Sequence, residues 1–283
     1  MLASAKQLLE SAAKGRYAVG AFNIFNLESA VGVIRGAIHM RSPVVVQISE
    51  TSIKYSDLKT ISNIVKNLAQ DHSEILIALH LDHGRSYEIA VDCIKEGYTS
   101  VMIDGSTLPF VENLNITKRV VQYAHKYGVV VQGELGRLPG IEETKILDRN
   151  SYMTDPLQAK EFCELTGVDF LAVGIGNIHG LHSDEPRLDF DRLRQVKEKV
   201  SIPMVLHGGS GIPPADIKEA ISYGIAEINI DTEIRSAFTS TLHRTLEERK
   251  QEIDPRKILM PSIDAVQAIV ERKIRLFGSQ NKV

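Results

Sequence analysis

Eight times along the chain a short apolar, β-branched run gives way to a longer amphipathic stretch, and this alternation constrains the fold more than any other feature. The runs lie at 17–24, 43–49, 75–81, 100–104, 129–134, 170–173, 204–206 and 227–230. Helical patterns such as 27–39, 87–96, 113–127, 156–165 and 214–222 separate them. Strands that are apolar almost throughout are covered on both faces, as in parallel sheets with helical crossovers. Eight strand–helix pairs within 283 residues predict an α/β fold, the (β/α)8 or TIM barrel. A doubly wound open sheet is the competing arrangement, but no GxGxxG follows the first run. No linker or compositional shift divides the chain, so a single domain over 1–283 is expected. The polar segment 138–152 fits neither period and reads as a long loop.

Composition then narrows the function. Thirty-three basic residues against 36 acidic ones leave a formal charge of −3, with no basic block to grip nucleic acid. A hydrophobic share of 43% is ordinary for a packed domain and excludes a disordered or collagen-like chain. Cys93 and Cys163 are too few for a disulfide framework and lack CxxC spacing, which fits a reducing cytoplasm. The first ten residues carry charges at helical spacing rather than a secretory signal. No apolar run approaches the roughly 18–20 residues that span a membrane. A soluble, cytoplasmic protein is expected.

In a parallel barrel the chemistry sits at the carboxyl ends of the strands. Five consecutive strand ends here carry His, Asp or Glu, from His80-Leu81-Asp82-His83-Gly84 through Asp104, Glu134 and His179 to His207. One histidine at a strand end reads most simply as a satisfied hydrogen-bonding group. Three of them, His83, His179 and His207, converging on one rim fit a catalytic zinc with an open fourth position. His80 lies inside its strand and reads as a core or supporting residue, and the remaining histidines fall on helices or loops. Asp82 adjoins His83, where a carboxylate could exchange protons with a substrate hydroxyl. Asp104 and Glu134 fit an alternative metal position, groups that orient the ligands, or plain structural pairing. Gly208-Gly209-Ser210-Gly211 precedes a helix, as does Asn229-Ile230-Asp231-Thr232. Glycines admit close backbone approach and helix amino termini favour anions, so the loops after strands 7 and 8 read as a phosphate site. A Schiff-base mechanism needs a lysine inside the barrel mouth, and none of the runs offers one there.

These stretches, with Gly20-Ala21-Phe22-Asn23, Val101-Met102-Ile103-Asp104-Gly105-Ser106, Glu134-Leu135-Gly136, Asn177-Ile178-His179-Gly180 and Phe277-Gly278-Ser279, carry a likeness over the whole length. The chain resembles the class II, zinc-dependent ketose-bisphosphate aldolases, carbon–carbon lyases of glycolysis and related carbohydrate metabolism. The resemblance implies reversible aldol cleavage of fructose or tagatose 1,6-bisphosphate to dihydroxyacetone phosphate and glyceraldehyde 3-phosphate. It implies zinc on His83, His179 and His207, a second or inactive metal position at Asp104 and Glu134, and a monovalent cation, Na+ or K+, near Gly180. Asp82 would act on the C4 hydroxyl and Glu142 would move the C3 proton. Gly180, Gly208, Gly209, Ser210, Asn229, Ile230, Asp231 and Thr232 would hold the ketose and its phosphate, with Asn23 and Ser49 as further contacts. Arg256 would reach the distal phosphate from a neighbouring subunit, implying a homodimer or homotetramer. The chain departs from the family's usual pattern at Pro139-Gly140, at Gly133 and at Glu227, where relatives often carry a lysine. Other readings are the same chemistry with a different acceptor aldehyde, and a non-catalytic aldolase-like subunit, which would be expected to have lost some of these groups.

Overall fold

The strands run Val19–Asn23 (β1), Val44–Ser49 (β2), Ile77–Gly84 (β3), Ser100–Ile103 (β4), Val130–Leu135 (β5), Phe170–Val173 (β6), Met204–Leu206 (β7) and Ile225–Ile230 (β8). Each pairs in parallel with the next and β8 closes on β1, giving the expected eight-stranded barrel. This computed structural model describes residues 2–137, 152–178, 180 and 188–283, with eleven α-helices among them. Most of the expected segment 138–152 lies outside the described residues.

Strand periodicity sorts the side chains into two bodies. Val46, Leu79, Val101, Val131, Leu171, Leu206 and Ile228 belong to the outer core shared with the helices. Val19, Val45, Ala78, Val130, Phe170, Val205 and Ala226 fill the amino-terminal end of the barrel. That end is stoppered by helix Ala5–Gly15, whose apolar stripe of Ala5, Leu8, Leu9 and Ala12 is buried. The amide of Ala3 ties this helix to β3 through the Ile77 carbonyl at 2.7 Å. Burying a leucine side chain contributes about 1.5–3 kcal/mol, so Leu8 and Leu9 make the stopper a stability element. Further up, the interior turns polar, with Gln47, His80, Gln132 and Glu227 all buried.

Local chemistry sets the helix ends. Asn26 closes a capping box with Ser29, and Asp155 and Asp254 cap helices that start on proline. The carboxyl-terminal helix Pro255–Phe277 contains Pro261, which has no N–H to give the Lys257 carbonyl. The Arg249 guanidinium donates to that carbonyl instead, at 3.0 Å. Three strands extend beyond the apolar runs seen in sequence. β3 continues to Gly84, because polar residues at a barrel rim still pair their backbones, β5 continues to Leu135, and β8 starts at Ile225, which pairs with Met204 of β7.

Candidate active site

The geometry of the rim begins with a fault in β3. Its register against β4 shifts between Leu81 and Gly84, and His83 sits at φ 48°, in the left-handed region. Such irregularities cost free energy and recur where a side chain must be re-aimed. Here the result is that His83 Nε2 faces His207 Nδ1 at 3.0 Å, with the rings edge to face. On its other side His83 Nδ1 lies 2.8 Å from Asp104 Oδ2 and 3.9 Å from Glu134 Oε2. Burial disfavours an imidazolium at His83, but the carboxylates of Asp82, Asp104 and Glu134 outweigh it and raise its pKa to about 10. Burial works equally against the Asp104 carboxylate, yet the hydrogen bond and charge of His83 hold its pKa below the usual range. Glu134 goes the other way: burial, then the neighbouring Asp104 charge, push it up to about 8.

Asp82 is buried beside this cluster. Its Oδ2 accepts from Asn23 Nδ2 at 2.6 Å, while Oδ1 has no hydrogen-bond partner and lies 3.8 Å from His83 Nε2. One oxygen is thus fixed and the other retains its lone pairs. Asp82, His83 and His207 each bring a ligand atom within 4.8 Å of the others, and so do His83, Asp104 and Glu134. Such mixed nitrogen and oxygen donors suit a divalent ion of borderline softness.

His207 is held from three sides. Asn177 Nδ2 donates to its carbonyl at 2.9 Å, and the side-chain amides of Gln132 and Asn229 lie 2.7 and 3.1 Å from its Nε2. Gln132 Oε1 and Asn229 Oδ1 have no hydrogen-bond partner as those amides are oriented. A neutral imidazole has one N–H and one lone pair. With the nearer amide oxygen, that of Gln132, turned toward Nε2–H, it accepts that proton and Nδ1 keeps its lone pair on the side of His83. His80 is neutral, because burial drives its pKa down to about 4, and its Nδ1 lies 2.7 Å from Ser100 Oγ.

Beyond His207 the chain turns through the glycine-rich loop. Gly208 adopts φ 64°, and a Cβ there would run into the carbonyl oxygen of Ile178 in the loop after β6. Glycine is therefore required for the two loops to touch. The cavity that results measures about 250 Å³ and is lined by Asn23, Ser49, Thr51, Asp82, His83, Gly180, His207, Gly208, Ser210, Asn229, Asp231, Thr232 and Arg235.

The structure therefore gathers Asn23, Ser49, Asp82, His83, Gly180, His207, Gly208, Ser210, Asn229, Asp231 and Thr232 around one cavity, with Asp104 and Glu134 behind His83. Gly209 and Ile230 do not line it. The Gly209 amide is bonded to the Asn229 carbonyl at 3.0 Å, and Ile230 is buried in the outer core. Arg256 projects elsewhere, its guanidinium 87% exposed and paired with Asp254 at 2.9 Å. His179 and Glu142 lie outside the described residues. Sequence reasoning missed Thr51, Arg235 and Gln132. Arg235 carried a faint signal, one turn after Asp231, whose Oδ1 it contacts at 2.7 Å. Gln132, in mid-strand, carried none.

Three comparisons bear on this geometry. The family described as "Fructose-bisphosphate aldolase class-II" matches residues 3–282. The fructose-bisphosphate aldolase of Geobacillus stearothermophilus is 42% identical over 283 residues, covering 99% of this chain and 98% of that one. The one from Thermus caldophilus is 42% identical over 303 residues, covering 99% of each. Among solved structures, the YdjI aldolase from Escherichia coli K12 superposes with a TM-score of 0.88 at 37% identity, covering 100% of this chain and 99% of that one.

Proposed function

The chain belongs to the class II fructose-bisphosphate aldolase family, and from that premise we propose that it reversibly cleaves a ketose 1,6-bisphosphate to dihydroxyacetone phosphate and glyceraldehyde 3-phosphate. The observation that carries this reading is Asp82, with one carboxylate oxygen held by Asn23 and the other free, beside two facing imidazoles in a cavity that ends on a glycine-rich loop. The relatives' names favour fructose 1,6-bisphosphate as the substrate; the tagatose isomer differs only at C4, on which the same groups would act.

In cleavage, Asp82 takes the proton of the C4 hydroxyl. The C3–C4 bond breaks as C4 becomes the aldehyde carbonyl, and its electron pair moves into the C2–C3 fragment. Glu142 is assigned the delivery of a proton to C3, and condensation runs the same transfers in reverse. Asn23 holds one oxygen of Asp82, so geometry is prepared before substrate arrives. His83, His179 and His207 would hold zinc, and the free lone pairs on Asp82 Oδ1 and Glu134 Oε2 fit a cation in this region. When bound, the metal supplies a Lewis acid that draws electron density from the ketose carbonyl. Asp104 fixes the His83 ring, and together with Glu134 it offers the second metal position.

The loops after β7 and β8 are assigned to the phosphate of the dihydroxyacetone half. Arg256 is assigned to the distal phosphate of a neighbouring subunit, which makes the active form at least a dimer. A monovalent cation near Gly180 rests on the family resemblance alone. No helix among the described residues is long and apolar enough to cross a membrane.

A coupled assay for dihydroxyacetone phosphate release tests the proposal, with fructose and tagatose bisphosphates supplied separately to metal-stripped and zinc-restored protein. Zinc-restored cleavage is expected, and the ratio of the two kcat/KM values names the preferred isomer. Bound zinc with no cleavage of either sugar would overturn the assignment in favour of another acceptor aldehyde.

A further inference from the structure

The glycine-rich loop is anchored by an ion pair between a buried lysine and a partly buried glutamate. Lys273, on the carboxyl-terminal helix, is only 5% exposed. A lysine this deep needs a counter-charge, because an unpaired buried charge is very costly. Its partner is Glu233, in the first turn of helix Thr232–Glu248, with Nζ 2.5 Å from Oε1. The same Oε1 accepts from the Gly211 amide at 3.2 Å, and the Glu233 amide donates to Ser210 Oγ at 3.3 Å. Exposed Arg272 takes the other carboxylate oxygen at 2.6 Å.

This arrangement sorts the four amides of the loop. Gly209 N–H is committed to the Asn229 carbonyl and Gly211 N–H to the Glu233 carboxylate. Those of Gly208 and Ser210 have no acceptor among the described residues, and both residues line the cavity. Alternate amides are thus pulled back into the protein while the intervening ones are left for an incoming anion. A carboxylate so near an anion site repels the ligand unless its charge is matched, and Lys273 supplies that match within the same contact.

We propose that Lys273 and Glu233 are positioning residues for phosphate binding, fixing the Gly208–Gly211 loop from behind while touching no substrate. The proposal deepens the aldolase reading and rests on it only where turnover is measured. The test uses the full-length, zinc-loaded protein. Calorimetry gives the Kd for inorganic phosphate, and steady-state kinetics give KM and kcat for the ketose bisphosphate. Lys273→Met is expected to raise the phosphate Kd and the KM together by about tenfold, the scale of loss from displaced positioning groups, with kcat within about threefold of the parent. Arg275→Met, on the same helix but paired outward with Glu271 at 3.2 Å, is expected to change neither constant.

Should Lys273→Met not melt cooperatively, Glu233→Gln/Lys273→Met removes both charges of the pair and carries the test, with the same joint rise in Kd and KM expected. A lowered melting temperature with an unmoved phosphate Kd would assign the pair to stability alone and overturn the proposal. Parent protein that turns over no ketose bisphosphate, yet shows the phosphate shift in the variant, would overturn the aldolase reading and leave this one standing.

Discussion

The two ends of this barrel are made from the same eight strands and from opposite materials. At the amino-terminal end Val19, Val45, Ala78, Val130 and Phe170 pack against Leu8 and Leu9 of the first helix, and the contacts are all apolar. At the carboxyl-terminal end Asn23, Asp82, Glu134 and His207 are just as buried, yet they are polar or charged. The buried side-chain atoms without a hydrogen-bond partner, on Gln47, His80, Asp82, Gln132, Glu134, Glu227 and Asn229, belong to strands of the polar part of this interior. His83 adds a left-handed backbone on top of that. One end lowers the free energy of the fold, and the other holds groups in states the fold would not choose. Size does not mark the site: a roomier cleft of about 680 Å³ opens among Lys6, Lys14, Asp169 and Lys197, near the amino-terminal end.

If the contrast is sound, variants at the two ends should move different observables. Asp82→Asn removes the proposed base while keeping its shape and its bond to Asn23. It should cut kcat by about 10²–10⁴-fold, the usual worth of general base catalysis, with the melting temperature unchanged or raised. Unchanged cleavage would remove Asp82 from its role. Leu9→Ala hollows the stopper instead and should cost about 2–5 kcal/mol in denaturant unfolding, with kcat per folded molecule preserved. A large loss of kcat there would show the ends to be coupled.

Gln132→Ala lies between the two ends and sharpens the line. It should weaken zinc about 10–100-fold in a chelator competition, because His207 loses the nearer of the two amides that contact its Nε2. The smallest effect is expected at Glu227. Burial, then the charge of Asp82, push its pKa up to about 8 from the usual 4.5. A carboxyl that holds its proton more tightly when folded contributes stability that is complete below about pH 4.5 and is lost as pH rises through about 8. Glu227→Gln should therefore melt with the parent near about pH 4.5 and a few degrees above it near about pH 9. Parallel melting curves across that range would show that Glu227 is not held protonated.

Much of this was legible in the residues. The eight apolar runs marked strands whose cores agree with the structure, and β6 and β7 agree to the residue. Their polar ends marked the rim, since a parallel barrel displays whatever follows each strand on one face. The register shift that extends β3 to Gly84 left no trace in the apolar pattern, because it depends on how β3 meets β4. Gln132 was equally silent, since a glutamine in mid-strand reads as an interruption until a histidine from β7 is placed across the barrel from it. Lys273 carried no sequence signal either, because its partner Glu233 lies on a different helix.

What the sequence determined by itself was therefore periodic or contiguous: strand order, the rim residues, the glycine loop and the family likeness. Periodicity is a property of neighbours in the chain, and it survives without knowledge of partners. Only the tertiary structure decided which carboxylates stay charged, which imidazole nitrogen faces inward and which amides of the loop are left free. Those states depend on burial and on groups tens or hundreds of residues away, such as His83 and His207, 124 positions apart. They exist only once the barrel has closed.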